Sequence, residues 1–157
     1  MSHDDTLDLP PAVDAERIEF EGRAGRQSYY RDGEGTPLIL FHSINAAGSV
    51  FEVKPIFEHF RKTRRVYASD LPGFGFSDRS DRDYSVRLYT EAIHDLVDQV
   101  AGDTPVDALA LSLSSEFLAR AASERPERFR SLTLVTPTGF SRGADRLRAA
   151  EGATREM

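Results

Sequence analysis

The sequence predicts an α/β fold built on a mostly parallel sheet with helices on both faces. Three observations carry this. From residue 37 onward, segments of strand character alternate with segments of helical spacing, in the order strand, helix, strand, helix, strand, helix, strand. One of the strands, Pro37 to Phe41, is apolar without interruption, as expected where a strand is covered on both faces. Strands joined through helices need crossovers, and right-handed crossovers set the strands parallel.

Taken in order, residues 1–15 are polar and acidic and carry Pro10-Pro11, which predicts a disordered tail. Ile18 to Glu21 alternates and Gln27 to Arg31 follows a Gly22–Gly25 turn, which together predict a hairpin at the sheet edge. Pro37–Phe41 leads into His42-Ser43-Ile44-Asn45-Ala46-Ala47-Gly48-Ser49, a loop of mostly small residues. Phe51, Val53, Ile56, Phe57 and Phe60 have rough helical spacing. Arg64 to Ser69 is the next strand, and it enters Asp70-Leu71-Pro72-Gly73-Phe74-Gly75-Phe76-Ser77-Asp78. Ser85 is a candidate N-cap for a helix from Val86 to Val100, whose stripe is Leu88, Tyr89, Ile93, Leu96, Val97 and Val100, and Gly102 closes it. Val106 to Leu111 runs as a strand into Ser112 and then a helix, with Leu118, Ala121 and Ala122 facing inward. Ser131 to Thr136 is the last strand, and residues 141–157 form a polar tail.

Composition narrows the function classes. A net charge of −6 argues against a nucleic-acid partner. No apolar run approaches a membrane span, and the acidic first residues are not those of a signal peptide, so the expected setting is the cytoplasm. The absence of cysteine excludes disulfides, a thiol nucleophile and thiolate metal sites. No cofactor or metal is expected. Gly73 and Gly75 lack both the third glycine and the following helix of a dinucleotide fingerprint.

Chemistry concentrates at Ser112. A strand that ends on a serine and turns at once into a helix needs small residues two before and two after it. Ala110 and Ser114 supply them, a relaxed form of the Gly-x-Ser-x-Gly elbow. Ser114 and Ser115 fit worse as the central residue, because Glu116 and Phe117 fall at the position two beyond each. A helix N-cap is the competing reading for Ser112 or Ser114, and the segment alone does not separate the two.

Three segments in this order resemble the α/β-hydrolase family. His42-Ser43 looks like its His-Gly oxyanion loop, Asp70 to Ser77 like its Asp-x-Pro-Gly-x-Gly-x-Ser loop, and Ala110 to Ser114 like its nucleophile elbow. The resemblance covers roughly residues 16–140 and implies roles for each segment. Ser112 would be the nucleophile, and the N–H groups of Leu113 and Ile44 would hold the oxyanion. His42, Ser43, Asp70, Gly73 and Gly75 would build the loops, with His42 packed and hydrogen-bonded beneath the oxyanion loop. Asn45 would shape that loop rather than meet substrate, and His59 and His94 would lie on the solvent side of their helices. Ser43, Ala110 and Ser114 replace glycines of the family pattern, all within small residues.

The same resemblance exposes a gap. The family order is serine, acid, histidine, and no histidine follows Ser112. The 157 residues therefore resemble the N-terminal portion of a serine hydrolase, expected to be inactive alone, with 16–140 a partial core and 141–157 the start of a cap or lid. The implied partner is a small-molecule carbonyl substrate, and the open sheet edge predicts self-association. Two other readings stand beside the esterase-like one: a non-catalytic hydrolase-like binding protein, and a cofactor-free lyase or C–C bond hydrolase on the same fold.

Overall fold

A computed structural model describes residues 9–138. Six strands form one sheet: β1 (Glu16–Gly22), β2 (Gly25–Asp32), β3 (Pro37–Phe41), β4 (Arg65–Asp70), β5 (Val106–Leu111) and β6 (Phe129–Val135). Their spatial order is β1-β2-β4-β3-β5-β6. The β1–β2 hairpin is antiparallel and joins β4 antiparallel, while β4, β3, β5 and β6 run parallel. The expected mostly parallel sheet, with its hairpin at one edge, is therefore present. Its parallel strands all end on the same side, which gathers their following loops there.

Helices cover both faces. On one, a short 3₁₀ turn (Val50–Val53) and α1 (Lys54–Phe60) bury Val50, Val53 and Phe57 against Leu38, Leu40 and Val66. The segment expected as one helix is thus split, and its first aromatic, Phe51, stands half exposed. On the other face, α2 (Val86–Ala101) and α3 (Ser114–Glu124) bury Ile93, Leu96, Phe117 and Leu118 against Ile39, Phe41 and Tyr67. The rings of Tyr89 and Phe117 stack at 4.8 Å where the two helices meet. Ser85 caps α2 as expected, its hydroxyl accepting from the Leu88 N–H at 3.1 Å.

Two expectations are corrected. Ala12 and Val13, assigned to a disordered tail, are buried in the α1-side core, and the Ala12 N–H donates to the Tyr30 hydroxyl. Their small apolar side chains seal the end of that core, which the polar average of residues 1–15 hides. His94, expected on the solvent side of α2, is also buried, and its Nε2–H donates to Glu124 of α3 at 2.9 Å. The next residue of the same helix, Asp95, accepts the Ala24 N–H at 2.9 Å and fastens the hairpin to α2. His59 is exposed, as expected.

At the amino-terminal side of the sheet, Asp107 of β5 gathers Arg64, Arg130 and Ser131. Hydrogen bonds from Arg130 first, then Ser131 and Arg64, hold its carboxyl well below the usual carboxylate range. This cluster ties β4, β5 and β6 together at the end remote from Ser112. β6 itself is largely exposed, with Leu132 and Val135 open to solvent.

Candidate active site

Adjacent strands β3, β4 and β5 release three loops at the carboxyl end of the sheet, and the candidate residues lie in those loops. The first begins at His42, which is fully buried. Its Nε2 accepts the Leu71 N–H at 2.9 Å, and its Nδ1–H donates to the Ser43 carbonyl at 2.7 Å. An acceptor at Nε2 and a donor at Nδ1 require the neutral Nδ1–H tautomer. Burial pushes its pKa down, which favours that neutral form. The edge of the Phe74 ring closes on the imidazole at 5.1 Å. His42 therefore works as a strut between two loops and has no free nitrogen to act as a base.

The Ser43 carbonyl and the Ile44 N–H belong to one planar trans peptide and point in opposite directions. By holding the carbonyl, His42 also sets the direction of the Ile44 N–H. Among the described residues that N–H donates to no protein acceptor. The loop beyond it is internally braced. Asn45 Oδ1 accepts the Ala47 N–H at 2.9 Å, and the Asn45 carbonyl accepts the Gly48 N–H at 3.0 Å. Asn45 is thus loop-forming, as expected.

The second loop is organised by Asp70, which is buried. Its carboxylate accepts the N–H groups of Phe76 at 3.1 Å and Val50 at 3.4 Å, and its carbonyl accepts the Ser77 hydroxyl at 2.5 Å. Burial raises its pKa to about 6 despite those N–H donors. Gly73 and Gly75 both take positive φ, as the tight turn requires.

The third loop is the strand-to-helix turn. Ser112 sits between β5 and α3 with φ +53, a left-handed conformation that costs a non-glycine residue of order 1–3 kcal/mol. No side-chain bond caps α3, so Ser112 does not act as its N-cap. The Ser112 N–H donates instead to the Val135 carbonyl at 2.9 Å, and the side chain is half-buried. Leu113 begins the helical geometry, and among the described residues its N–H has no acceptor. Ser114, one of the two small flanking residues, is fully buried, and its hydroxyl donates to the His42 carbonyl. That bond ties the Ser112 turn to the Ile44 loop, and elbow spacing gives no sign of it.

A family model described as the alpha/beta hydrolase fold matches residues 36–152. The chain belongs to the α/β-hydrolase fold family. Among its curated relatives, a 2-hydroxymuconate semialdehyde hydrolase from Pseudomonas putida is 31% identical over 117 residues, covering 74% of this chain and 41% of that protein. A pimeloyl-[acyl-carrier protein] methyl ester esterase from Aliivibrio salmonicida is 31% identical over 106 residues, covering 66% of this chain and 37% of its own. Among solved structures, an α/β-hydrolase fold protein from Burkholderia ambifaria superposes with a TM-score of 0.72 at 26% identity, over 90% of this chain and 52% of that one. A serine hydrolase involved in carbazole degradation gives 0.72 at 22% identity, over 86% and 56%, a likeness of fold. This α/β-hydrolase chain thus spans about two fifths of those two relatives and about half of those structures. Among the described residues, no cluster of His, Asp or Glu could hold a metal ion, and no helix is long and apolar enough to cross a membrane.

Proposed function

We propose that these residues form the nucleophile and oxyanion half of a serine hydrolase acting on a small carbonyl compound. The observation that carries the reading is the left-handed Ser112, held between a parallel strand and a helix it does not cap. In this reading, Ser112 Oγ attacks the carbonyl carbon while a base removes its proton, and the carbonyl π electrons move onto oxygen. The N–H groups of Leu113 and Ile44, each without a protein acceptor among the described residues, receive that oxyanion. A preorganised donor of this kind contributes about 3 kcal/mol to the transition state.

The base is the missing partner. His42 has both nitrogens engaged, His94 is committed to Glu124, and no histidine follows Ser112. The reading therefore assigns the base and its acid to sequence outside these 157 residues, and expects the chain alone to be inactive. The methyl ester esterase relative supports an ester or thioester substrate. The semialdehyde hydrolase relative favours a second reading, in which a C–C bond beside a carbonyl is cleaved by the same serine.

An activated phosphonate probe applied to the longest product of this reading frame should modify Ser112, and Ser112→Ala should abolish the label. The 157-residue chain alone should react more slowly by roughly 10²–10⁴-fold, the contribution of a general base. Labelling that survives Ser112→Ala in the longer product would overturn the nucleophile assignment.

The open edge of β6 belongs to the same reading. Its outer backbone groups, which pair with no strand among the described residues, and the exposed Leu132 and Val135 form a pairing surface, taken by another copy when the chain is alone. Sedimentation of the 157-residue chain should show a mass that rises with concentration, and Leu132→Lys should return it to monomer. A monomer at all concentrations removes the self-association claim.

A further inference from the structure

We propose that Glu52 is a positioning residue for the Ile44 N–H, acting through the hydroxyl of Ser43. The inference rests on the reading of Ile44 as an oxyanion donor. It names what holds that donor still. A preorganised donor needs a rigid backbone, yet Asn45, Ala46 and Ala47 are exposed and small. Rigidity has to come from somewhere other than packing.

The side chain of Ser43 supplies it. Its hydroxyl faces both oxygens of the Glu52 carboxylate, at 2.8 and 2.6 Å, and donates its single proton there. The same oxygen accepts from Asn45 Nδ2 at 2.6 Å. A relay of donors thus runs Asn45, Ser43, Glu52, and its end carries a charge. Hydrogen bonds to an ionised acceptor are about twice as strong as neutral ones, and the Ser43 end of this one is buried at 7% exposure, while Glu52 is open to solvent.

Glu52 is itself anchored. It lies in the 3₁₀ turn whose Val50 and Val53 are fully buried and whose first turn is capped by Ser49. Among the described residues it forms no ion pair, unlike Glu58 and Glu91 in α1 and α2, which pair along their own helices. Its carboxylate is committed to Ser43. Ser43 is consequently gripped at two points, its hydroxyl by Glu52 and its carbonyl, which belongs to the peptide that carries the Ile44 N–H, by His42. A glycine at position 43, as in the family pattern, has no hydroxyl to accept the second grip. The serine there is a substitution with a partner, and the partner lies nine residues on.

Two measurements test this. In the first, amide NMR spectra of the 157-residue chain are compared for wild type, Ser43→Ala, Glu52→Ala and Glu52→Gln. The two alanine variants should broaden or shift the Ile44 to Ala47 amides while leaving β5 and α3 unchanged, and Glu52→Gln, which keeps an acceptor but not its charge, should fall between Glu52→Ala and wild type. In the second, turnover is measured on the longest product of the reading frame. Ser43→Ala and Glu52→Ala should lower kcat about tenfold with KM unchanged, the pattern of an interaction expressed in the transition state, and Glu52→Gln should restore part of it. Unchanged spectra and unchanged kcat in Glu52→Ala would overturn the proposal. So would a loss in Glu52→Gln equal to that in Glu52→Ala, because an acceptor at position 52 would then hold nothing. If Ser112→Ala keeps full turnover, the serine hydrolase reading has failed, and the NMR comparison still decides whether Glu52 holds the loop.

Discussion

Gly75→Ala is expected to destabilise the domain by about 3 kcal/mol, read as a fall in the urea midpoint with the slope unchanged. Two costs add. Gly75 has φ +50, where any other L-residue incurs roughly 1–2 kcal/mol. A Cβ there would also lie 2.2 Å from the Asp70 carboxyl carbon and 2.3 Å from both its oxygens. Asp70 cannot swing away, because it is buried and holds the N–H groups of Phe76 and Val50. Gly102 separates the two costs. It has a similar φ of +54, but nothing lies within 4 Å of its missing Cβ. Gly102→Ala should show the backbone cost of its own conformation, φ 54 and ψ −119, with no clash. If Gly75→Ala loses no more than the roughly 1–2 kcal/mol of a left-handed residue, the close approach of the turn to Asp70 is not what makes residue 75 a glycine.

That comparison also shows what the sequence disclosed and what it withheld. The uninterrupted apolar run at β3 and the i, i+4, i+7 stripe of α2 are signals of period and composition, and both elements appear within a residue or two of where they were expected. The two positive-φ glycines in the Asp70 loop were legible for a similar reason, since turn chemistry is local. The small residues around Ser112 were legible as a steric requirement. Contacts between loops were not. Nothing in the chain order indicates that Ser114 reaches the His42 carbonyl, that Glu52 meets Ser43, or that His94 is buried against Glu124. Each joins residues on different elements, and a polar side chain on a helix gives the same sequence signal whether it faces water or a partner. Residues 9–15 failed for a different reason. Two short apolar side chains, Ala12 and Val13, seal the α1-side core within a stretch whose average is polar. The expectation for residues 141–157 concerns residues outside those described.

Asp70→Asn is expected to change how stability responds to pH between 7 and 4. Asp70 in the folded protein has a pKa of about 6, against 3.8 for an unperturbed aspartate, because burial disfavours the charge. The folded state therefore binds more protons than the unfolded state in that interval, and stability rises as pH falls. The gain is about 1 kcal/mol from pH 7 to pH 5 and approaches about 3 kcal/mol once both states are protonated. His42 acts in the opposite sense over the upper part of the same range. Its folded pKa lies below 6.5, so the unfolded chain takes up the proton first and acidification destabilises the fold. The depressed carboxyls, Asp107 foremost, lose their contribution only as pH falls below about 4, outside the upper window. The wild type should therefore show two opposed slopes that partly cancel. Removing the Asp70 titration leaves His42 to act alone, and the variant should weaken steadily as pH falls from 7 to 5. Wild-type and variant urea midpoints that run parallel from pH 7 to 4.5 would rule out Asp70 as a titrating group. The two residues meet through Leu71, whose N–H binds His42 and whose neighbour is Asp70. Protonating His42 places a second donor against that N–H and breaks the Leu71 end of the strut, while Nδ1–H goes on donating to the Ser43 carbonyl. The pH at which the fold weakens and the pH at which the His42 loop loses its tie to the Asp70 loop are thus governed by the same buried histidine.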